Sequence, residues 1–158
     1  MHIENKAPDL SIVIPTKNEA KRLPQTLKNL QRLVAKRTIK IEVLICDDAS
    51  RDETEEIAMG FNQVLTITFL PGNNSAGVGS ALRRGVAFAH GNRILICDAD
   101  GAVPFDDLDK LWKALDAGNH IAAGSRCLEQ SEILVAQPIF RQFIGAIWRL
   151  IVGTILPT

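Results

Sequence analysis

Arg93-Ile94-Leu95-Ile96-Cys97-Asp98-Ala99-Asp100 is the stretch on which the reading of this chain turns. A short apolar run that opens on a charged residue and stops at a pair of acids reads as a buried strand. The strand runs directly into two carboxylates two positions apart, with Gly101 behind them. At the carboxyl end of a central strand such a pair is costly unless something positive sits on it. A hard divalent cation carrying a phosphate ligand is the natural partner. Mg2+ and Mn2+ prefer oxygen donors and often bind through few carboxylates plus substrate phosphates. The plainer alternative is that one Asp caps the next helix and the other is solvated. These residues alone leave both readings open.

On either side, short apolar runs alternate with helical patterns. Strands are expected at Leu10–Ile14, where Pro15 stops the run, and at Ile41–Cys46, Val64–Leu70, Arg93–Cys97 and His120–Ala123. Helices are expected between them. The first is Glu19–Val34, with Leu23, Leu27, Leu30 and Val34 on one face. The others are Asp52–Gly60, Ala76–His90 with Gly91 as its C-cap, and Phe105–Ala117, ended by Gly118-Asn119. This order predicts an α/β fold with a mainly parallel central sheet and helices on both faces. Ligands of such sheets bind beyond the carboxyl ends of the strands. Asp47, Asp48, Asp98 and Asp100 all fall there.

Composition narrows the partners. Lys and Arg total 18, and so do Asp and Glu, which gives a formal net charge of zero and no case for broad nucleic-acid binding. Aromatic residues are scarce and Tyr is absent, so stacking platforms for single strands are not expected. Cys46, Cys97 and Cys127 form no CxxC pair and read as reduced thiols of a cytoplasmic protein. Residues 1–8 form a polar tail without a signal-peptide apolar region. The stretch 139–156 is rich in Ile, Leu, Phe and Trp, with Arg141 and Arg149 embedded. It reads equally as an amphipathic helix lying on a membrane or as a core helix of a larger fold. The domain organisation expected is a tail at 1–8, a main domain at 9–136 and an apolar interfacial or packing helix at 137–158.

Four loops converge at the strand ends: Pro15-Thr16-Lys17-Asn18-Glu19, Asp47-Asp48-Ala49-Ser50-Arg51-Asp52, Asp98-Ala99-Asp100-Gly101-Ala102 and Gly124-Ser125-Arg126. The ordered set resembles family 2 glycosyltransferases of the GT-A fold, a Rossmann-like nucleotide-diphospho-sugar sandwich. With Val135-Ala136-Gln137 and Phe140-Arg141, it looks most like dolichyl-phosphate β-glucosyltransferases and their polyprenyl-phosphate relatives. The resemblance implies that Pro15, Lys17 and Glu19 belong to the nucleotide-sugar site. It implies that Asp48 accepts a hydrogen bond from the uracil imide. Asp98 and Asp100 match the metal and ribose–diphosphate positions, with Asp100 also on the catalytic side and Mg2+ or Mn2+ as cofactor. Arg126 and Arg141 match arginines near the donor diphosphate and the acceptor phosphate, where a planar guanidinium fork suits phosphate oxygens.

The implied reaction is inverting transfer of a hexose, glucose first, from a UDP-sugar to a polyprenyl or dolichyl phosphate. The acceptor phosphate is already anionic, so no general base is required. Implied partners are the UDP-sugar and the lipid, with membrane contact through 139–156 on the cytoplasmic face and self-association through the same apolar stretch. Gly72-Asn73-Asn74-Ser75-Ala76-Gly77-Val78-Gly79 resembles the family's glycine-rich helix start, and Gly77 and Gly79 would lie near the donor. Val78 stands where the family carries Lys, so one cation near the phosphates is missing. Relatives are expected to continue past Thr158 with an acceptor side. Two alternatives remain beside this reading: a family 2 enzyme with another sugar or acceptor, and a non-catalytic nucleotide-sugar-binding fragment. A receiver domain is set aside, because strand one ends in Pro15 rather than in acids. A dinucleotide site is set aside too, because Gly77-Val78-Gly79 follows the third strand, not the first.

Overall fold

The computed structural model describes residues 7–101 and 105–124. The chain divides into two units, Met1–Leu108 and Asp109–Thr158. In the first unit the strands are β1 (Leu10–Thr16), β2 (Ile41–Asp47), β3 (Thr66–Leu70) and β4 (Arg93–Ile96). The helices are α1 (Leu23–Lys36), α2 (Thr54–Gly60) and α3 (Val78–Phe88); a 3-10 turn at Phe105–Asp107 leads into α4 (Leu108–Asp116). The sheet is wholly parallel in the order β3-β2-β1-β4. The α/β reading with helices on both faces therefore stands.

β4, read from sequence as buried and central, stands at the edge of the described sheet, with Ile94 44% and Ile96 53% exposed. β1 and β2 are the central strands, and their sequences say why. Ile12, Val13, Ile14, Val43 and Ile45 are all fully buried, an apolar run without alternation that only a sheet covered on both faces permits. Val13, Leu44, Cys46, Leu70 and Ala81 form one core cluster beneath α3. Gly85 lets α3 sit this close: a Cβ there would fall 2.5 Å from Cys46 Sγ and Val13 Cγ1. On α1, Leu23, Leu27, Leu30 and Leu33 make a buried stripe at helical spacing.

Several boundaries differ from expectation, each for a local reason. Pro15 does not stop β1. Val13 O accepts from Cys97 N at 3.0 Å, while Thr16 O accepts from Asp48 N at 2.8 Å. Odd-numbered β1 residues thus turn their backbone groups toward β4, which ends at Ile96 opposite Val13. The missing N–H of Pro15 points past that end, so no ladder bond is lost. The first helix starts at Leu23, not Glu19, because Pro24 suits the first turn of a helix and 19–22 form a tight lead-in turn. Gly91 is not the C-cap of α3; Ala89 is, in an extended conformation. Gly91 instead lies against β1, where a Cβ would meet Ser11 N at 2.5 Å, and its N–H donates to Ser11 Oγ at 2.7 Å. The second and third helices begin two residues late, at Thr54 and Val78, and the third strand begins at Thr66. Asp52 explains the first of these: its carboxylate accepts from Thr54 N at 3.2 Å.

The expected strand at His120–Ala123 is not formed among the described residues, and Ile121 is 86% exposed. A strand needs a hydrogen-bonded neighbour, and a run of three apolar residues after His120 does not supply one. In the second unit, α4 ends as the sequence indicates. Gly118 takes a left-handed φ of 94° and Asn119 Nδ2 donates to Ala114 O at 2.7 Å. Among the described residues, no helix is long and apolar enough to cross a membrane. The apolar stretch 139–156 lies outside them.

Candidate functional site

Beyond the carboxyl ends of β1, β2 and β4 lies a cleft of about 370 Å³. Pro15, Lys17, Glu19, Asp48, Gly77, Asp98 and Asp100 all line it. Seven residues singled out from sequence are thus brought together from four separate segments, as a parallel sheet dictates. Gly79 is not in the lining; it is the second residue of α3, and nothing lies within 4 Å of where its Cβ would be. Arg126 and Arg141 lie outside the described residues, as does Ser125.

The loops after β1 and β2 are braced against each other. Asn18 N donates to Ser50 Oγ at 2.8 Å, and Arg51 N returns a bond to Asn18 Oδ1 at 2.9 Å. Glu19 N donates to Thr54 Oγ1 and Ala20 N to Asp52 Oδ2, at 2.9 and 3.1 Å. Asn18 and Ala49 hold left-handed φ values of 54° and 60°, tolerable for Asn and strained for Ala. Asp47 is a scaffold residue. Its carboxylate accepts from Thr16 Oγ1, Ser50 Oγ and Ser50 N at 3.1, 2.5 and 2.8 Å.

Asp48 binds the glycine-rich loop to this frame. Oδ1 accepts from Ala76 N at 2.8 Å and Gly77 N at 3.0 Å. Oδ2 accepts from Lys17 Nζ and Ser75 Oγ, each at 3.3 Å. Lys17 Nζ also donates to Ser75 Oγ. Burial pushes the Asp48 carboxyl up, but the hydrogen bonds from Lys17, Gly77 and Ala76 outweigh it and hold the group below the usual carboxylate range. Glu19 is engaged as well: Arg22 donates to it through Nε at 2.7 Å and Nη2 at 2.5 Å.

Asp98 and Asp100 differ: both are exposed on the cleft. Buried Ala99 between them is anchored by Thr26 Oγ1, which donates to Ala99 O at 2.7 Å and ties the acidic pair to α1. The pair's field reaches Cys97, whose thiol is pushed up to about 12 by burial first and then by the charges of Asp98 and Asp100. Among the described residues, no group of three or more His, Cys, Asp or Glu side chains could hold a metal alone. Two exposed carboxylates with an open cleft in front fit a hard cation that completes its shell from a ligand's phosphates.

Sequence reasoning missed Thr16, Ser75, Arg22 and Thr26. Arg22, three residues after Glu19, carried a signal, since that spacing makes an ion pair across one turn. Ser75 and Thr26 carried none, because their partners are far away in the chain.

Residues 11–148 match the Glycosyl transferase family 2 model. The chain belongs to glycosyl transferase family 2. It is similar to the dolichyl-phosphate beta-glucosyltransferase of Mus musculus, with 36% identity over 152 residues that cover 85% of this chain and 46% of that protein. The chain spans about half the length of the curated relatives it matches. Among solved structures, S. aureus TarS has a TM-score of 0.61 at 21% identity, covering 77% of this chain and 40% of that one. A mannosyltransferase from Pyrobaculum calidifontis, solved with GDP-Man and Mn2+, has a TM-score of 0.52 at 26% identity, covering 61% of this chain and 28% of that one. The family fold is therefore the GT-A fold expected, and the cleft lies at the carboxyl ends of its parallel strands.

Proposed function

We propose that this chain carries the donor side of an inverting hexosyltransferase that moves glucose from UDP-glucose to a dolichyl or polyprenyl phosphate. The observation that carries the reading is the gathering of Pro15, Lys17, Glu19, Asp48, Gly77, Asp98 and Asp100 around one cleft. The similarity to dolichyl-phosphate beta-glucosyltransferases over most of the chain supports the choice of sugar and acceptor.

Asp48 and the loop it holds receive the nucleoside, and Glu19 and Pro15 close that end. Asp98 and Asp100 hold a divalent cation, Mg2+ or Mn2+, which supplies charge neutralisation to the leaving diphosphate when bound. The mannosyltransferase solved with GDP-Man and Mn2+ supports a cation of this kind. Thr26 anchors the backbone between the two acids, so both are carried on a fixed strand end at the cleft. The acceptor phosphate is anionic at neutral pH. In-line positioning thus takes the place of a general base. By the resemblance, Arg126 serves the donor diphosphate and Arg141 the acceptor phosphate. The lipid acceptor puts the protein at a membrane surface, on the cytoplasmic side, with 139–156 as the contact.

Calorimetry tests this directly. UDP-glucose should bind the wild type in the presence of Mn2+, with binding weakened by about 100-fold or more in Asp98→Ala/Asp100→Ala and insensitive there to Mn2+. Absence of binding by folded wild-type protein would overturn the donor-site reading.

A further inference from the structure

We propose that Lys17 is a base-reading residue, forming with Asp48 a donor–acceptor pair that selects nucleobases presenting an N–H beside a carbonyl. The inference rests on the donor-site reading above and adds to it the class of base accepted. An ionised carboxylate offers about four acceptor positions. All four at Asp48 are taken by protein donors: Ala76 N, Gly77 N, Ser75 Oγ and Lys17 Nζ. A base N–H can reach this carboxylate only if one of them yields.

The candidates are unequal. Ala76 N and Gly77 N belong to the backbone that opens α3, and moving them would remodel the start of that helix. Ser75 belongs to the same short loop. The Lys17 side chain is 50% exposed and swings on a four-carbon stem, so it is the donor free to move. When an N–H takes Oδ2, the ammonium is displaced by one hydrogen-bond position and still borders the carboxylate. There it meets the carbonyl oxygen next to that N–H. Uracil and guanine carry this N–H/C=O edge. Cytosine and adenine place a bare ring nitrogen opposite the carboxylate, and acceptor then faces acceptor. Among the described side chains of the cleft none is as well placed: Val78 has no donor, and Arg22 is committed to Glu19 through two short bonds.

The test compares UDP with CDP, which share the diphosphate and differ at the base edge. Calorimetry with Mn2+ is run on the full chain as wild type, Lys17→Met and Lys17→Arg, after thermal melting has shown all three folded. Wild type should prefer UDP by at least about tenfold, as expected for a hydrogen-bonded site that meets the wrong edge. In Lys17→Met, UDP should weaken by about tenfold with CDP little changed, so that the preference narrows; Lys17→Arg should restore much of it. An equal loss for UDP and CDP would assign Lys17 to the shared diphosphate and overturn the inference. No change for either would reduce the Lys17–Asp48 contact to a surface ion pair and overturn it as well. A wild type that binds neither nucleotide would instead remove the donor-site reading on which it stands.

Discussion

At the end of β2, Asp47 and Asp48 are buried and ringed by donors from the protein's own loops. At the end of β4, Asp98 and Asp100 stand exposed on the same cleft. Both are pairs of acids closing a parallel strand, and in the sequence they make the same kind of signal. The difference teaches that an acidic motif has two uses. Where protein donors crowd around it the carboxylate organises loops, and at Asp48 those hydrogen bonds favour the ionised form. At the second pair Thr26 anchors the backbone at Ala99, and both carboxylates are exposed on the cleft.

Replacing one acid of each pair would break the comparison if it is wrong. Asp48→Ala should lower the thermal midpoint clearly and open residues 72–77 to proteolysis, because Ala76 N and Gly77 N lose their acceptor. Asp98→Ala should leave the midpoint nearly unchanged while abolishing metal-dependent nucleotide binding. Equal midpoint losses in the two variants would erase the distinction.

Acid should act on the scaffold in the same sense. Asp48 and Asp52 both titrate below the ordinary value of 3.8 in the folded protein. At Asp52, as at Asp48, burial raises the pKa but hydrogen bonds outweigh it, here from Thr54 and Ala20. Their stabilising contribution is complete above the unfolded value and is lost as pH falls through the lower folded values. Denaturant melts between pH 6 and about pH 2 should thus show stability falling below roughly pH 4. Asp48→Ala should flatten that fall, and an unchanged profile in the variant would count against the role given to Asp48.

Thr26→Val tests the anchoring of the exposed pair. It removes the hydroxyl donor to Ala99 O in a buried setting and should cost about 1–2 kcal/mol by chemical denaturation. Mn2+-dependent UDP-glucose binding should weaken with it. Ala49→Gly should have the smallest effect. It relieves a left-handed alanine in the braced loop but gives the unfolded chain more freedom, for a net gain of about 0.5 kcal/mol.

Much of the fold was legible because its signals are local. Leu10–Ile14, Ile41–Cys46 and Arg93–Cys97 are short apolar runs followed by acids or Pro, and α1 repeats Leu at helical spacing. What misled was context. Pro15 looks like a terminator until its missing N–H is seen to point beyond β4. Gly91 looks like a helix cap until it is found pressed against Ser11. His120–Ala123 has strand composition but forms no strand among the described residues.

The sequence by itself determined the parallel α/β order and delivered seven residues to one cleft, because strand ends are fixed by where apolar runs stop. Only the tertiary structure decided what each acid does there. The donors that fill Asp48 come from 27 to 31 positions away, and the hydroxyl that pins Ala99 from 73. A carboxylate's role is set by the groups that surround it in space, and no spacing along the chain encodes them.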